Sequence, residues 1–372
     1  MPEKDTYRVA VIGHTGRGNY GHGLDTVWKD VPKTQVVAVA DADAKGLGAA
    51  QKRLGADVRG FADYKTMLVE IKPDFVSVAP RWLDQHHDMV IAAAEAGVKG
   101  IYLEKAPCRT LAEADAMIAA CEKHGTKVAI AYQARYSPVL RIIDEMIDDE
   151  QIGDVLEFRA RGKEDRRGGG EDLWVLGPHV FNLIHHLGGA PEWCSARVYQ
   201  DRKPVTKEHV QEGNEGIGPL AGNRITATYG LESRATASFG SWQGSQGDPS
   251  RFGLQIFGSK GIIELYDVGY APKAFWLPDS SWSPGRTGKS WIPITTQGAG
   301  IPETFKGKGH HQGNVAACVD LIQAVEGDLQ PEASLYDGRT TVEMIAAVFE
   351  SHRLQSTVEM PLKTRVNPLT SL

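Results

Sequence analysis

The junction at residues 8–23 constrains this chain more than any other stretch. Val9-Ala10-Val11-Ile12 reads as a buried strand and runs straight into Gly13, Gly16, Gly18, Gly21 and Gly23. Gln35-Val36-Val37-Ala38-Val39-Ala40 is a second apolar run, and it ends on Asp41. The order predicts a strand, a phosphate-cradling turn, a helix, a second strand and an acidic tip. Glycines let backbone N–H groups approach a pyrophosphate, a helix N-terminus adds partial positive charge, and the acid grips ribose hydroxyls. Gly16-Arg17-Gly18-Asn19-Tyr20-Gly21 fits G-x-G-x-x-G literally but starts beyond the expected strand end. Gly13, Gly16 and Gly18 form the better-placed turn, with Thr15 and Arg17 between them. Asp41 lies about 20 residues past Gly21, the spacing a dinucleotide site uses. An ordinary glycine-rich surface loop is the alternative. No Gly-Lys-Ser/Thr follows, which argues against a nucleoside-triphosphate P-loop.

The chain has 372 residues, enough for two domains with their own cores. Its formal net charge of -6 gives no reason to expect a nucleic-acid or anionic-membrane partner. Cys108, Cys121, Cys194 and Cys318 are scattered, so neither a disulfide framework nor a zinc ribbon is indicated. Residues 1–7 are polar and lead into the first strand without the pattern of a signal peptide, and no apolar run reaches membrane-span length. A cytoplasmic location is the expectation.

Strand patterns at 8–12, 35–40, 74–78, 100–103 and 127–131 are short and rich in Val, Ile and Ala, as in a parallel sheet covered on both faces. Helices fall between them: Asp63 is placed to cap 64–71 and Asp84 to cap 85–96, with Gly97 after it. Thr110 and Glu113 read as a capping box for 111–124, closed by Gly125. A doubly wound α/β domain over residues 1–134 follows, with ligands beyond the carboxyl ends of its strands.

From 135 to 372 the pattern changes to a second α/β domain with a large, mainly antiparallel open-faced sheet. After a helix at 138–148, Leu156, Phe158 and Ala160 share one face of a strand over 154–161. Further strands are expected at 193–200, 224–230, 234–240, 252–258 and 261–265, with a turn at Gly230–Ser233. Residues 267–309 read as a long irregular loop with some strand, and helices return at about 313–326 and 338–353.

Two places carry candidate chemistry. Glu104-Lys105 ends an apolar strand, where a lysine can donate to a substrate oxygen; a solvated loop lysine is the competing reading. Gly168–His179 forms a glycine-rich approach to a helix with Pro178 in its first turn and Gly188 at its end. His179 then sits near a helix N-terminus, whose dipole disfavours the imidazolium, as a general base requires. The three His-His pairs match no ligand spacing, and no metal is expected.

With these residues in place, the chain resembles the Gfo/Idh/MocA oxidoreductases. The glycine turn and Asp41, Pro80 with His86, Ala92–Gly97, Glu104-Lys105, Tyr132–Pro138, Ile152-Gly153, Gly177-x-His179 and Asp337–Ser351 occur in the family's order. The resemblance implies a Rossmann domain plus an open-faced α/β domain, bound NAD(P), and hydride transfer at a carbinol carbon of a sugar, cyclitol or related polyol. It implies homo-oligomers, dimers or tetramers, formed through the open sheet. Lys105 corresponds to the lysine of the family's Glu-Lys-Pro motif and His179 to the base of its Asp-x-x-x-His pair. Gly13, Thr15, Gly16, Arg17, Gly18, Asp41, Pro80, His86, Glu104 and Lys105 are then the cofactor contacts, and Asp41 favours NAD over NADP. Arg166, Asp172, Trp174 and Asn182 are the substrate-side candidates.

Two departures stand out. Ala106 replaces the motif's proline, and Val175 stands where the family has its aspartate, so no carboxylate shares the helix face of His179. Three outcomes compete. Lys105 and His179 suffice, with Asp172 or Glu171 supplying the carboxylate; or NAD serves a transient oxidation within a lyase or hydrolase; or the protein binds cofactor and sugar without turnover.

Overall fold

The structure, a computed structural model, describes residues 6–307 and 309–372. Residues 1–5 of the polar leader and Lys308 of the 267–309 loop lie outside the described residues. The chain divides into two compact units. The first holds residues up to Gln133 together with Asn214–Ile217 and His310–Arg339, and the second holds the remainder. The first unit thus gathers two segments that a single boundary after residue 134 assigns to the second domain.

In chain order the first unit contains β1 (Tyr7–Ile12), β2 (Thr34–Ala40), α1 (Ala44–Leu54), β3 (Arg59–Phe61), α2 (Tyr64–Ile71), β4 (Phe75–Val78), α3 (His86–Glu95), β5 (Gly100–Leu103), α4 (Leu111–His124) and β6 (Lys127–Ile130). Among the described residues these strands form one parallel sheet in the order β3-β2-β1-β4-β5-β6. The order reverses between β1 and β4, which opens a crevice at their carboxyl ends. Val9, Ala10, Val11, Phe75, Val76, Ile101 and Leu103 are fully buried, as a sheet covered on both faces demands. Asp63 caps α2 by accepting from the Thr66 N–H at 2.7 Å. Thr110 accepts from the Glu113 N–H at 3.2 Å, but the Glu113 carboxylate turns to the Arg109 N–H at 2.8 Å instead of closing the box. Asp84 does not cap α3: a single 3-10 turn, Leu83–Gln85, precedes that helix, and the Asp84 carboxylate pairs with Arg17.

The second unit begins with α5 (Pro138–Asp148), capped by Ser137, and β7 (Val155–Arg161). Then come α6 (Gly170–Val175), α7 (Gly177–Gly188), β8 (Pro191–Gln200) and the short β9 (Lys203–Pro204), β10 (Gln211–Glu212) and β11 (Pro219–Leu220). The sheet continues with β12 (Arg224–Leu231), β13 (Thr236–Trp242), β14 (Gly253–Gly258), β15 (Ile262–Tyr266) and β16 (Lys273–Leu277). The 267–309 segment adds α8 (Pro284–Thr287), β17 (Ile292–Thr295) and β18 (Gly298–Ala299). Helix α9 (His310–Gly327) belongs to the first unit, α10 (Leu335–Leu354) runs from the first into the second, and β19 (Val358–Glu359) ends the sheet.

Among the described residues that sheet has eleven strands, ordered β18-β17-β16-β15-β14-β7-β13-β12-β8-β19 with β9 beside β8. Only the β7–β13 pairing is parallel. Phe181 of α7 packs edge-on against Tyr229 and beside Phe239, with ring centroids 5.6 and 5.1 Å apart. Phe158 and Ala160 are buried, whereas Leu156 is 45% exposed where the β7–β14 register shifts.

Candidate active site

In the first unit the functional candidates gather at the carboxyl ends of the strands. The glycine segment leaves β1 with the Gly13 N–H still donating to Ala40 at 2.9 Å. No α-helix follows it, contrary to the expectation from the motif. Residues 13–26 form turns instead, closed by the bridge His14↔Asn19 and followed by a 3-10 turn, Val27–Lys29. Gly16, Gly18, Gly21 and Gly23 all have φ between +58 and +89°, and Asn19 has φ 55°. That is backbone a helix does not contain.

Asp41 ends β2 as expected, but its carboxylate faces inward and is 1% exposed. It accepts from the Thr15 N–H at 3.1 Å, the Thr15 hydroxyl at 2.7 Å, the Tyr20 hydroxyl at 2.8 Å and the Asp43 N–H at 3.0 Å. Burial opposes the charge, but the bonds from Thr15, Asp43 and Tyr20 outweigh it and hold the carboxyl below its usual range. Burial, with the Asp41 carboxylate beside it, pushes the Tyr20 hydroxyl well above its usual value. Ribose hydroxyls therefore reach Asp41 only by exchange with the Thr15 and Tyr20 donors. Tyr20 was not among the sequence candidates, although it lies inside the glycine motif.

Pro80, His86 and Glu104 are likewise buried rather than presented to a ligand. The His86 ring nitrogens lie 2.7 Å from the Pro80 carbonyl and 3.0 Å from the Ala106 carbonyl, so the imidazole staples the segment after β4 to the one after β5. Burial lowers its pKa, against the two carbonyls, which favour the protonated ring. Glu104 is fully buried; its carboxylate accepts from the Lys105 N–H and lies 3.2 Å from His22 Nδ1. Burial opposes its charge, yet His22 and Lys105 hold its pKa low. Lys105 is half-buried at this strand end, and the Lys105–Ala106 peptide is cis. Asn314 of α9, also absent from the sequence candidates, ties the floor together. Its Oδ1 accepts from Tyr102 at 2.7 Å and Gln133 at 2.9 Å, and its Nδ2 donates to the His22 carbonyl at 3.1 Å.

In the second unit, His179 occupies the first turn of α7 and is half-buried, one turn after Val175 of α6. Asp172 does not replace the missing carboxylate. It is fully buried and accepts from the Lys163 N–H at 3.2 Å, the Glu164 N–H at 3.0 Å and the Ser241 hydroxyl at 2.6 Å. Burial raises its pKa against those bonds. Its place is in the frame of the β7–α6 loop, beside Glu164, which is buried and paired with Arg161 and Arg251. Arg166 is exposed, and its carbonyl accepts from Gln243 at 2.6 Å. Trp174 is 3% and Asn182 1% exposed. Among the described residues neither the Trp174 indole N–H nor the Asn182 carboxamide has a hydrogen-bond partner. Asn182 lies three residues after His179 and so shares its helix face.

Residues 7–132 match the profile of the GFO_IDH_MocA oxidoreductase family, NAD-binding Rossmann fold. A D-apiose dehydrogenase of Paraburkholderia graminis is 27% identical over 263 residues, 67% of this chain and 66% of that protein. A levoglucosan dehydrogenase of Pseudarthrobacter phenanthrenivorans is 22% identical over 87% of this chain and 89% of its own. A solved levoglucosan dehydrogenase, in complex with NADH and levoglucosan, superposes with a TM-score of 0.76 at 20% identity, covering 96% of this chain and 100% of its own. Over residues 7–132 the chain is similar to the NAD-binding Rossmann domain of the Gfo/Idh/MocA oxidoreductases.

Proposed function

We propose that this protein is an NAD-dependent dehydrogenase that moves a hydride between the nicotinamide and a carbinol carbon of a sugar, cyclitol or related polyol. The observation that carries the reading is the crevice of the first sheet. A glycine segment leaves β1, Asp41 ends β2 and Lys105 follows β5, all within the segment that matches the NAD-binding family. The sugar dehydrogenases among its relatives support the substrate class. The glycine-segment N–H groups and Asp41 fit a dinucleotide once the loop's internal bonds are exchanged, and a carboxylate at that tip favours NAD over NADP. NAD, when bound, supplies the hydride acceptor.

The chain's own residues do the rest. The Lys105 ammonium donates to the substrate oxygen and orients it, and an imidazole nitrogen of His179 takes the hydroxyl proton. Val175, one turn before His179, stands where the Gfo/Idh/MocA pattern has its aspartate. The Trp174 N–H and the Asn182 carboxamide are assigned to substrate hydroxyls, because buried polar groups left without partners cost about 1–3 kcal/mol each. The four cysteines are buried thiols, which supports a reducing, cytoplasmic setting. Trp242, 45% exposed at the end of β13, supports a homo-oligomer formed through the open sheet.

Alanine replacement tests the roles. Lys105→Ala and His179→Ala should each lower kcat by about 10²–10⁴-fold with a sugar that the wild type oxidises. His179→Ala should leave NADH affinity within a few-fold. Full turnover by either variant would remove that residue from the mechanism.

A further inference from the structure

We propose that the glycine segment is an autoinhibitory latch, in which Asp41 holds the loop shut over the crevice and a dinucleotide must displace that contact to bind. The proposal rests on the dinucleotide reading above and adds a regulatory contact to it. Four observations carry it.

First, most of the loop's backbone donors are spent inside it. The His14 N–H donates to Asn19, Thr15 to Asp41, Gly16 to the Asn19 side chain, Arg17 and Asn19 to His14, and Gly21 to Gly18, at 3.0–3.2 Å. Second, the Asp41 carboxylate has four donors on it, about the number its lone pairs accept. A ribose diol therefore replaces donors rather than joining them. Third, the Tyr20 ring lies directly on Gly13, so close that a Cβ there would strike it. It covers the point where β1 meets the loop. Fourth, the far side of the loop is fastened across the crevice to the segment after β4. Arg17 pairs with Asp84 and stacks 4.3 Å over Trp82, His14 Nδ1 lies 2.5 Å from Gln85 Oε1, and Gly18 packs on the Arg81 and Trp82 backbone.

The loop is also built to open. Its glycines at positive φ accept other backbone conformations at little cost, and at Gly16 nothing lies within 4 Å of where a Cβ would sit. Affinity for the cofactor is then reduced by the fraction of molecules whose loop is open, and each latch contact removed raises that fraction.

Tyr20→Phe keeps the ring on Gly13 and removes only the hydroxyl that donates to Asp41. Asp84→Asn removes the charge that holds Arg17. Neither residue is assigned a contact with the cofactor. In NADH fluorescence titrations each variant should bind about tenfold more tightly than wild type, the order expected for loss of one hydrogen bond to a charged group. Without nucleotide, amide hydrogen exchange over residues 13–21 should accelerate in both variants, while the strands β1 and β4 keep wild-type protection. The latch is overturned if wild type binds NADH and both variants, with those strands protected, bind no more tightly. Absence of NADH binding by wild type and variants alike would overturn the latch together with the dinucleotide reading, and so distinguishes the two failures.

Discussion

Asp172 offers the sharpest test of how the second unit is framed, because it looks like a substrate or catalytic acid in sequence and is a structural one in the fold. Its carboxylate receives two backbone N–H groups of the β7–α6 loop and the Ser241 hydroxyl. In Asp172→Ala the Ser241 hydroxyl can turn elsewhere, but the Lys163 and Glu164 N–H groups lose their acceptor. At about 1–2 kcal/mol for each stranded amide, less some relief from not burying a charge, the loss comes to about 3 kcal/mol. Asp172→Asn keeps one acceptor oxygen and should lose about half as much.

The pH dependence has a definite sign. Burial raises the folded-state pKa of Asp172, so its stabilising contribution is full below the unfolded value and falls as pH rises through the folded one. The asparagine cannot titrate. The stability margin of wild type over Asp172→Asn should therefore shrink as pH rises from about 4, the unfolded value, toward neutrality. Urea unfolding of the full chain at a series of pH values, followed by tryptophan fluorescence, reads both effects. An Asp172→Ala variant within about 0.5 kcal/mol of wild type, the range of ordinary surface changes, or a margin that widens with pH, would refute the reasoning.

Three further outcomes follow from the same contacts. Asn314→Ala removes one acceptor from the Tyr102 hydroxyl and the Gln133 amide and the donor to the His22 carbonyl, and should cost about 2–4 kcal/mol in urea unfolding while weakening NADH binding measured by fluorescence. His86→Phe keeps the volume but cuts the link between the Pro80 and Ala106 carbonyls. It should lower kcat with a turned-over sugar more than it raises KM, because Lys105 loses its support, as steady-state kinetics would show. Glu164→Ala frees Arg161, Arg251 and the Trp242 N–H, and should cost about 2–3 kcal/mol. Glu164→Gln should recover about half of that, read as the two midpoints in the same denaturant series.

Elements defined by local pattern were legible in the sequence. The apolar runs of β1, β2, β4, β5 and β6, the Asp63 cap and the Gly125 stop all act within a few residues, and the structure places them where the pattern does. What local pattern hides is decided by distant partners. The glycine motif predicts a helix after its turn, yet Arg17, Gly18 and His14 are held by residues 81–85 in a conformation no helix permits. Asp172 looks like a loop acid until Ser241, on β13, closes over it. Asp84 was expected to cap a helix and instead serves Arg17. α1 escaped notice because Gly46 and Gly48 interrupt its helical composition, although Asp43 caps it; Gly46 is needed where the helix passes close to Thr15. β3 is three residues long and carries no periodicity of its own.

The most direct test of the central claim is absorbance at 340 nm of the protein with NAD against a panel of sugars, cyclitols and sugar acids, with products weighed by mass spectrometry. The expected result is NADH formed in equal amount to a product two hydrogens lighter, for a structurally related subset of the panel. Altered sugar with no net NADH, or NADH binding with no turnover of any member, would contradict it.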